Sequence, residues 1–294
     1  MTLGRVGWLT AIIRKSRAGE SPVNSERGIW TEENVFSDSE CDRLTDHVCR
    51  GELPRSRAGA RHLLSDPAVK LLASDSRLVA MARAGLGGSA VPFRATLFEK
   101  SGRSNWLVVW HQDTALPLSA RFDSAEWGPW SEKAGIVYAH APAWALARDL
   151  ALRVHLDDSA EENGPLRVIP GSHQLGLLSD DDVFRVARER PSEACLVRRG
   201  GVLAMRPLVI HSSSKSATDA PRAAHRVCRF ARPGAGHSAG RRLAEDCYSG
   251  LCTPHSSPAA AGSAAAGSAA VGAGDSRSAG SRSDSMTRIV CHLP

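Results

Sequence analysis

The chain has 294 residues, seven cysteines and a formal net charge of +6. That length suits one large domain with a sizeable core, and no apolar run approaches the ~20 residues that span a bilayer. Eight arginines against four acids after residue 222 leave the rest of the chain at only +2, too weak a footprint for a nucleic-acid partner.

Residues 1–27 read as a loosely ordered basic leader. The apolar stretch from Trp8 to Ile13 is short, and Arg14-Lys15-Ser16-Arg17 comes after it without a small-residue cleavage pattern, so no signal peptide is expected. Only Cys41, Cys49 and Cys195 precede residue 223, without Cys-x-x-Cys spacing. That usage suits reduced thiols and a cytoplasmic setting. Gly28 to Phe36 reads as an opening strand. Ser37-x-x-Glu40 is a capping box, because each side chain can satisfy the other residue's free backbone N–H. It predicts a helix to about Arg50, with Cys41, Leu44 and Val48 at helical spacing. A second helix is expected from Pro67 to Ala84, and a strand from Thr96 to Lys100.

Asn105 to Trp110 reads as a buried strand leading into His111-Gln112-Asp113. Residues i and i+2 of a strand share a face, so His111 and Asp113 point together and Gln112 points away. An imidazole and a carboxylate converging in this way suit a divalent metal. A more distant histidine would complete the 2-His-1-carboxylate set of non-haem Fe(II) oxygenases. A bare His-x-Asp arises often by chance, so its weight depends on partners further along the chain.

The segment from Thr114 to Trp144 is long and polar and reads as an active-site loop. Its Trp127, Trp130, Tyr138, His140 and Trp144 either line a substrate pocket or pack the loop down. The strand from Leu150 to Asp158 carries Arg153, which either helps hold a co-substrate or faces solvent, and His155, read as packed or lining. Asn163-Gly164 and Pro170-Gly171 mark turns on either side of a short apolar strand.

A second apolar run, Gly201 to Ile210, ends at His211, and Arg222 lies eleven positions later across a polar loop. A hairpin there would return Arg222 to the side of His211. A guanidinium grips a carboxylate through two parallel hydrogen bonds, which suits a dicarboxylic co-substrate. Ser213 could donate a hydroxyl to the same group.

The residues His111-Gln112-Asp113, Asn163-Gly164-Pro165-Leu166, Pro170-Gly171-Ser172-His173, and His211 with Arg222 together resemble the phytanoyl-CoA dioxygenase family over about residues 28–222. The resemblance implies a mainly β double-stranded β-helix (jelly roll) with flanking helices. It implies Fe(II) on His111, Asp113 and His211, and 2-oxoglutarate on Arg222 and Ser213. Arg153 departs from the pattern, since several family members carry an aromatic residue there near the oxoglutarate, and it stands as a further candidate on its own account. The resemblance implies hydroxylation of a small-molecule or acyl substrate with O2, with no catalytic residue beyond the metal ligands. His173 falls on a structural turn of the family and is read as non-ligating. The carboxylate at Asp113 favours hydroxylation over halogenation, which would need an open coordination position there.

After Arg222 the pattern changes. Residues 222–229 make a poor strand where a jelly roll needs one, and Ala259 to Ser285 is low-complexity. Read one base later, codons that permit residues 221–228 also permit Arg-Val-Leu-His-Ile-Glu-Tyr-Ala, an alternating strand. Residues 223–294 are therefore either a genuine disordered tail or a frameshifted one. A catalytically inactive jelly roll with a damaged C-terminus, and a cupin-like metal protein of other activity, stand as alternatives.

Overall fold

The computed structural model describes residues 26–50, 55–56, 59–99, 105, 107–217 and 224–231. Almost all of the basic leader, Arg222, and everything after Ala231 lie outside the described residues.

Strand β1 (Ile29–Glu32) is followed by helix α1 (Asp38–Arg50). The capping box at its start forms as expected: the Ser37 N–H donates to Glu40 Oε2 at 2.8 Å, and the Glu40 N–H to Ser37 Oγ at 3.4 Å. Two short strands, β2 (Arg55–Ser56) and β3 (Gly59–Ala60), precede α2 (Pro67–Ala73) and α3 (Ser76–Leu86). The single helix expected over this region is thus two. Asp75 breaks it, because its carboxylate accepts the Arg77 N–H at 2.9 Å and starts a new helix. Then come β4 (Val91–Glu99), β5 (Val108–His111), β6 (Ala115–Leu118), β7 (Trp130–Lys133) and β8 (Ile136–His140). The short α4 (Ala143–Leu146) leads to β9 (Asp149–His155) and β10 (Leu166–Val168). Helix α5 (Asp180–Glu189) precedes β11 (Glu193–Cys195), β12 (Val202–Met205), β13 (His211–Ser213) and β14 (Ala224–Ala231).

Two antiparallel sheets face each other. The larger runs β1-β12-β9-β14-β4-β3-β2 and the smaller β11-β10-β13-β5. Leu203 and Met205 from the first pack with Leu166, Val168 and Cys195 from the second, so one core fills part of the space between them. The outer face of the large sheet buries Leu150, Leu152, Val154, Leu97 and Phe230 against Leu72, Leu78 and Ala82 of the helices. The outer face of the small sheet is covered by Val183 and Val186 of α5. These layers, helices outside and two sheets inside, are the expected jelly roll.

Three expectations need correction. The segment from Thr114 to Trp144 is no loop but a three-stranded sheet, β6-β8-β7, held by a two-residue turn at Ala134 and Gly135, both at positive φ. That backbone is what a tight hairpin requires. The strand before His111 is shorter than expected and lies at the edge of its sheet, with Val109 37% exposed and Leu107 54%. Most consequential, the closing strand is present. Ala224–Ala231 pairs with β9 on one side and β4 on the other, so the large sheet extends past the boundary set at 222. The chain after His211 therefore crosses from the small sheet to the large one and makes no β13–β14 hairpin.

Candidate metal and co-substrate site

His111 and His211 sit directly opposite each other on neighbouring strands β5 and β13. Their rings lie 4.1 Å apart between centroids. Each ring is oriented by its own chain: His111 Nδ1 lies 2.8 Å from the Val109 carbonyl and His211 Nδ1 2.8 Å from that of Val209. A carbonyl only accepts, so each Nδ1 carries the proton and each Nε2 offers its lone pair. Asp113 completes the set, with His111 Nε2 at 3.9 Å and His211 Nε2 at 3.8 Å from its oxygens. One ligand atom from each residue falls within 4.8 Å of the others. His111 Nε2 is buried and has no hydrogen-bond partner. A buried lone pair without a donor is costly unless something fills the gap, so this donor set fits a dication such as Fe(II).

Gln112 shows why the ligands stay put. It turns away from them, as the alternation expected from the sequence predicts, although β5 itself ends at His111. Its amide donates to the Gly176 and Leu208 carbonyls at 2.9 Å, and its oxygen accepts the Leu178 N–H at 3.0 Å. The strand end is thereby tied to two other segments. His173 takes no part in the cluster. It packs against Gly28, whose φ of +70° and lack of a Cβ leave room for the imidazole.

The electrostatics favour a charged Asp113 beside a neutral His211. Burial alone would raise the Asp113 pKa, but Arg229, His211, His111 and Arg94 outweigh it and hold the carboxyl well below its usual range. Burial, helped by His111, pushes His211 down to about 3.

Sequence reasoning did not single out Arg229. Its guanidinium pairs with Asp113 and, at 2.5 Å, with Asp149, itself wholly buried. On β14 it faces the space between the sheets, while Cys228 and Phe230 face the helices. The register aligns Ala151, Arg229 and Arg94 across β9, β14 and β4, and Arg153, Val227 and Thr96 one row further along.

A cavity of about 990 Å³ opens between the sheets and is lined by His111, Asp113, His211, Ser213, Arg153 and Arg229, among others. Arg153 therefore faces the cavity and not solvent. Its guanidinium carbon is 6.0 Å from the Phe98 ring, and burial lowers its pKa to about 10. Of the aromatic residues between β5 and β9, Trp130, Tyr138 and His140 line the cavity, whereas Trp127 and Trp144 pack against each other.

A family profile described as Phytanoyl-CoA dioxygenase (PhyH) matches residues 26–224. The chain belongs to the phytanoyl-CoA dioxygenase family. The L-proline trans-4-hydroxylase of Streptomyces griseoviridis is 30% identical over 113 residues, 38% of this chain and 34% of that protein. The chain thus spans about a third of the length of this curated relative. Among solved structures, AviO1 from Streptomyces viridochromogenes Tue57 shares 22% identity at a TM-score of 0.54, over 78% of this chain and 100% of that one. EctD from S. alaskensis, solved with 2-oxoglutarate and 5-hydroxyectoine, shares 20% identity at a TM-score of 0.55, over 72% and 75%. These likenesses agree with the jelly roll of a phytanoyl-CoA dioxygenase family member.

Proposed function

We propose that this chain is an Fe(II)- and 2-oxoglutarate-dependent dioxygenase that hydroxylates a small molecule. The observation that carries this reading is the convergence of His111, Asp113 and His211 within 4.8 Å, with a buried, unpartnered Nε2, at the wall of a cavity. Their roles would be metal ligands. Arg153 and Ser213 face the same cavity and would hold the 2-oxoglutarate carboxylate, with Arg222 as a further anchor from outside the described residues. Iron and 2-oxoglutarate, when bound, supply the oxidising power that turns a C–H bond into C–OH while O2 is consumed and succinate and CO2 are released. The protein's share is to orient the imidazoles through Val109 and Val209 and to keep Asp113 ionised with Arg229. The similarity to a protein named as a proline hydroxylase supports hydroxylation as the outcome.

No helix among the described residues is long and apolar enough to cross a membrane, and Cys41, Cys195 and Cys228 are buried free thiols. These features support the cytoplasmic reading. The weak net charge supports the absence of a nucleic-acid partner.

Anaerobic titration tests the reading. The protein is expected to bind about one Fe(II) per chain, with binding lost in H111A, D113A and H211A, and to convert 2-oxoglutarate to succinate when O2 is admitted. Full iron affinity in H111A would overturn the ligand assignment.

A further inference from the structure

The cavity carries more positive charge than the co-substrate reading uses. Arg94 on β4 and Arg61, just after β3, both line it, as does Lys133 at the end of β7. The Arg94 guanidinium carbon and the Lys133 ammonium each lie 5.7 Å from the centre of the Tyr138 ring. The Tyr138 hydroxyl is 3.4 Å from His62 Nε2. Among the described residues neither Arg61 nor Arg94 meets a carboxylate in an ion pair, whereas Arg229 is held by two.

Like charges gathered in a partly buried space repel, and burial costs each of them hydration. Both effects are visible here. Burial first, then Arg94, lowers the Arg61 pKa, and burial first, then Arg61 and Arg94, lowers that of Lys133. Such an arrangement is relieved by an anion placed between Arg61 and Arg94. Arg153, the co-substrate candidate, lies one row away from Arg94 in the sheet register and on the other side of β14, so the two guanidinium groups start from different places on the cavity wall.

We infer that Arg61 and Arg94 form a second anionic subsite, which holds a carboxylate or phosphate on the substrate while its body lies against Trp130 and Tyr138. This rests on the oxygenase reading for what happens to the substrate, but the subsite can be tested by binding alone. His62, half-buried beside Tyr138, is pushed down to about 4 by burial, then Arg94 and Arg61, and so adds no charge of its own near neutral pH.

The experiment uses the full chain with Fe(II) and saturating 2-oxoglutarate, held anaerobically, and follows tryptophan fluorescence, to which Trp130 contributes. Three probes share one ring and differ in the head group: phenylacetate, phenyl phosphate and neutral phenylacetamide. At least one acid is expected to bind about tenfold or more tighter than the amide, the tighter acid identifying the head group. That preference is expected to shrink to about twofold in R94Q and in R61Q, and to return in part in R94K. Equal affinity for acid and amide, no binding of either acid, or a preference untouched in both Gln variants would overturn the subsite. A separate 2-oxoglutarate titration distinguishes the two readings. If the parent protein fails to bind 2-oxoglutarate, the proposed function falls. If it binds and the acids show no preference, only the subsite falls.

Discussion

At the scale of single residues, the convergence of His111, Asp113 and His211 was legible because ligand chemistry demands particular side chains at particular spacings. The i, i+2 rule predicted that His111 and Asp113 share a side, and they do converge although β5 itself ends at His111. Arg229 was hidden for the opposite reason. A charge in a strand reads as solvent-facing, and this one is buried only because Asp113 and Asp149 reach it from distant parts of the chain. Removing one partner of such a group leaves the others stranded. R229M is expected to cost about 3–5 kcal/mol in urea unfolding, and adding D149L to recover a good part of it. A loss below about 1 kcal/mol would show that the buried pair contributes little. For the co-substrate, R153M is expected to weaken 2-oxoglutarate binding by about 2–5 kcal/mol and S213A by about 1 kcal/mol, measured by equilibrium titration of the metal-loaded protein. If R222A loses affinity and R153M does not, the anchor is Arg222.

At the scale of elements, local chemistry predicted some starts well and tertiary pairing decided the rest. The cap at Ser37 and Glu40 was readable because its partners are three residues apart. Its extension was not: Arg77 donates to Glu40 at 2.8 Å from the start of α3 and joins that helix to α1. The hydrogen bond from Arg77, followed by that from the Ser37 backbone, lowers the Glu40 pKa from 4.5 to about 2. A depressed acid stabilises the fold above its unfolded pKa and loses that effect as pH falls through its folded one. E40Q is therefore expected to be less stable than the parent at pH 6, and the difference should vanish as pH drops from about 4.5 towards 2. Thermal melts across that range measure it. The gap is expected to stay small, under about 1 kcal/mol, because both groups are partly in water. A gap that widens in acid would contradict the assignment. The sheet β6-β8-β7 escaped notice because a polar stretch separates β6 from the β7-β8 hairpin, and β14 because its alternation is broken by Arg226 and Arg229.

At the scale of the molecule, the two-sheet fold followed from the spacing of its motifs, while strand order could not. Nothing in the sequence says that the chain after His211 changes sheets, since that choice is made by the open slot between β9 and β4. Phe230 fills the core there and is wholly buried. A chain ending at Arg222 lacks the strand and exposes two unpaired edges, an aggregation liability. It is expected to lose cooperative melting, compared by circular dichroism with a chain ending at Ala231. If both melt alike, β14 does not belong to the folded sheet. The nucleotide sequence across codons 215–240 separately decides whether this strand is read in its original frame.

Asp113 follows β5 of the small sheet, and Arg229 stands on β14 of the large one. A single carboxylate thus serves as a latch between the two halves of the sandwich and, on the proposed function, would also be a ligand for the cation that the histidines receive. The two duties are thermodynamically linked. By whatever factor a cation at Asp113 eases the sheets apart or draws them together, the closing of the sheets must change the grip on that cation by the same factor.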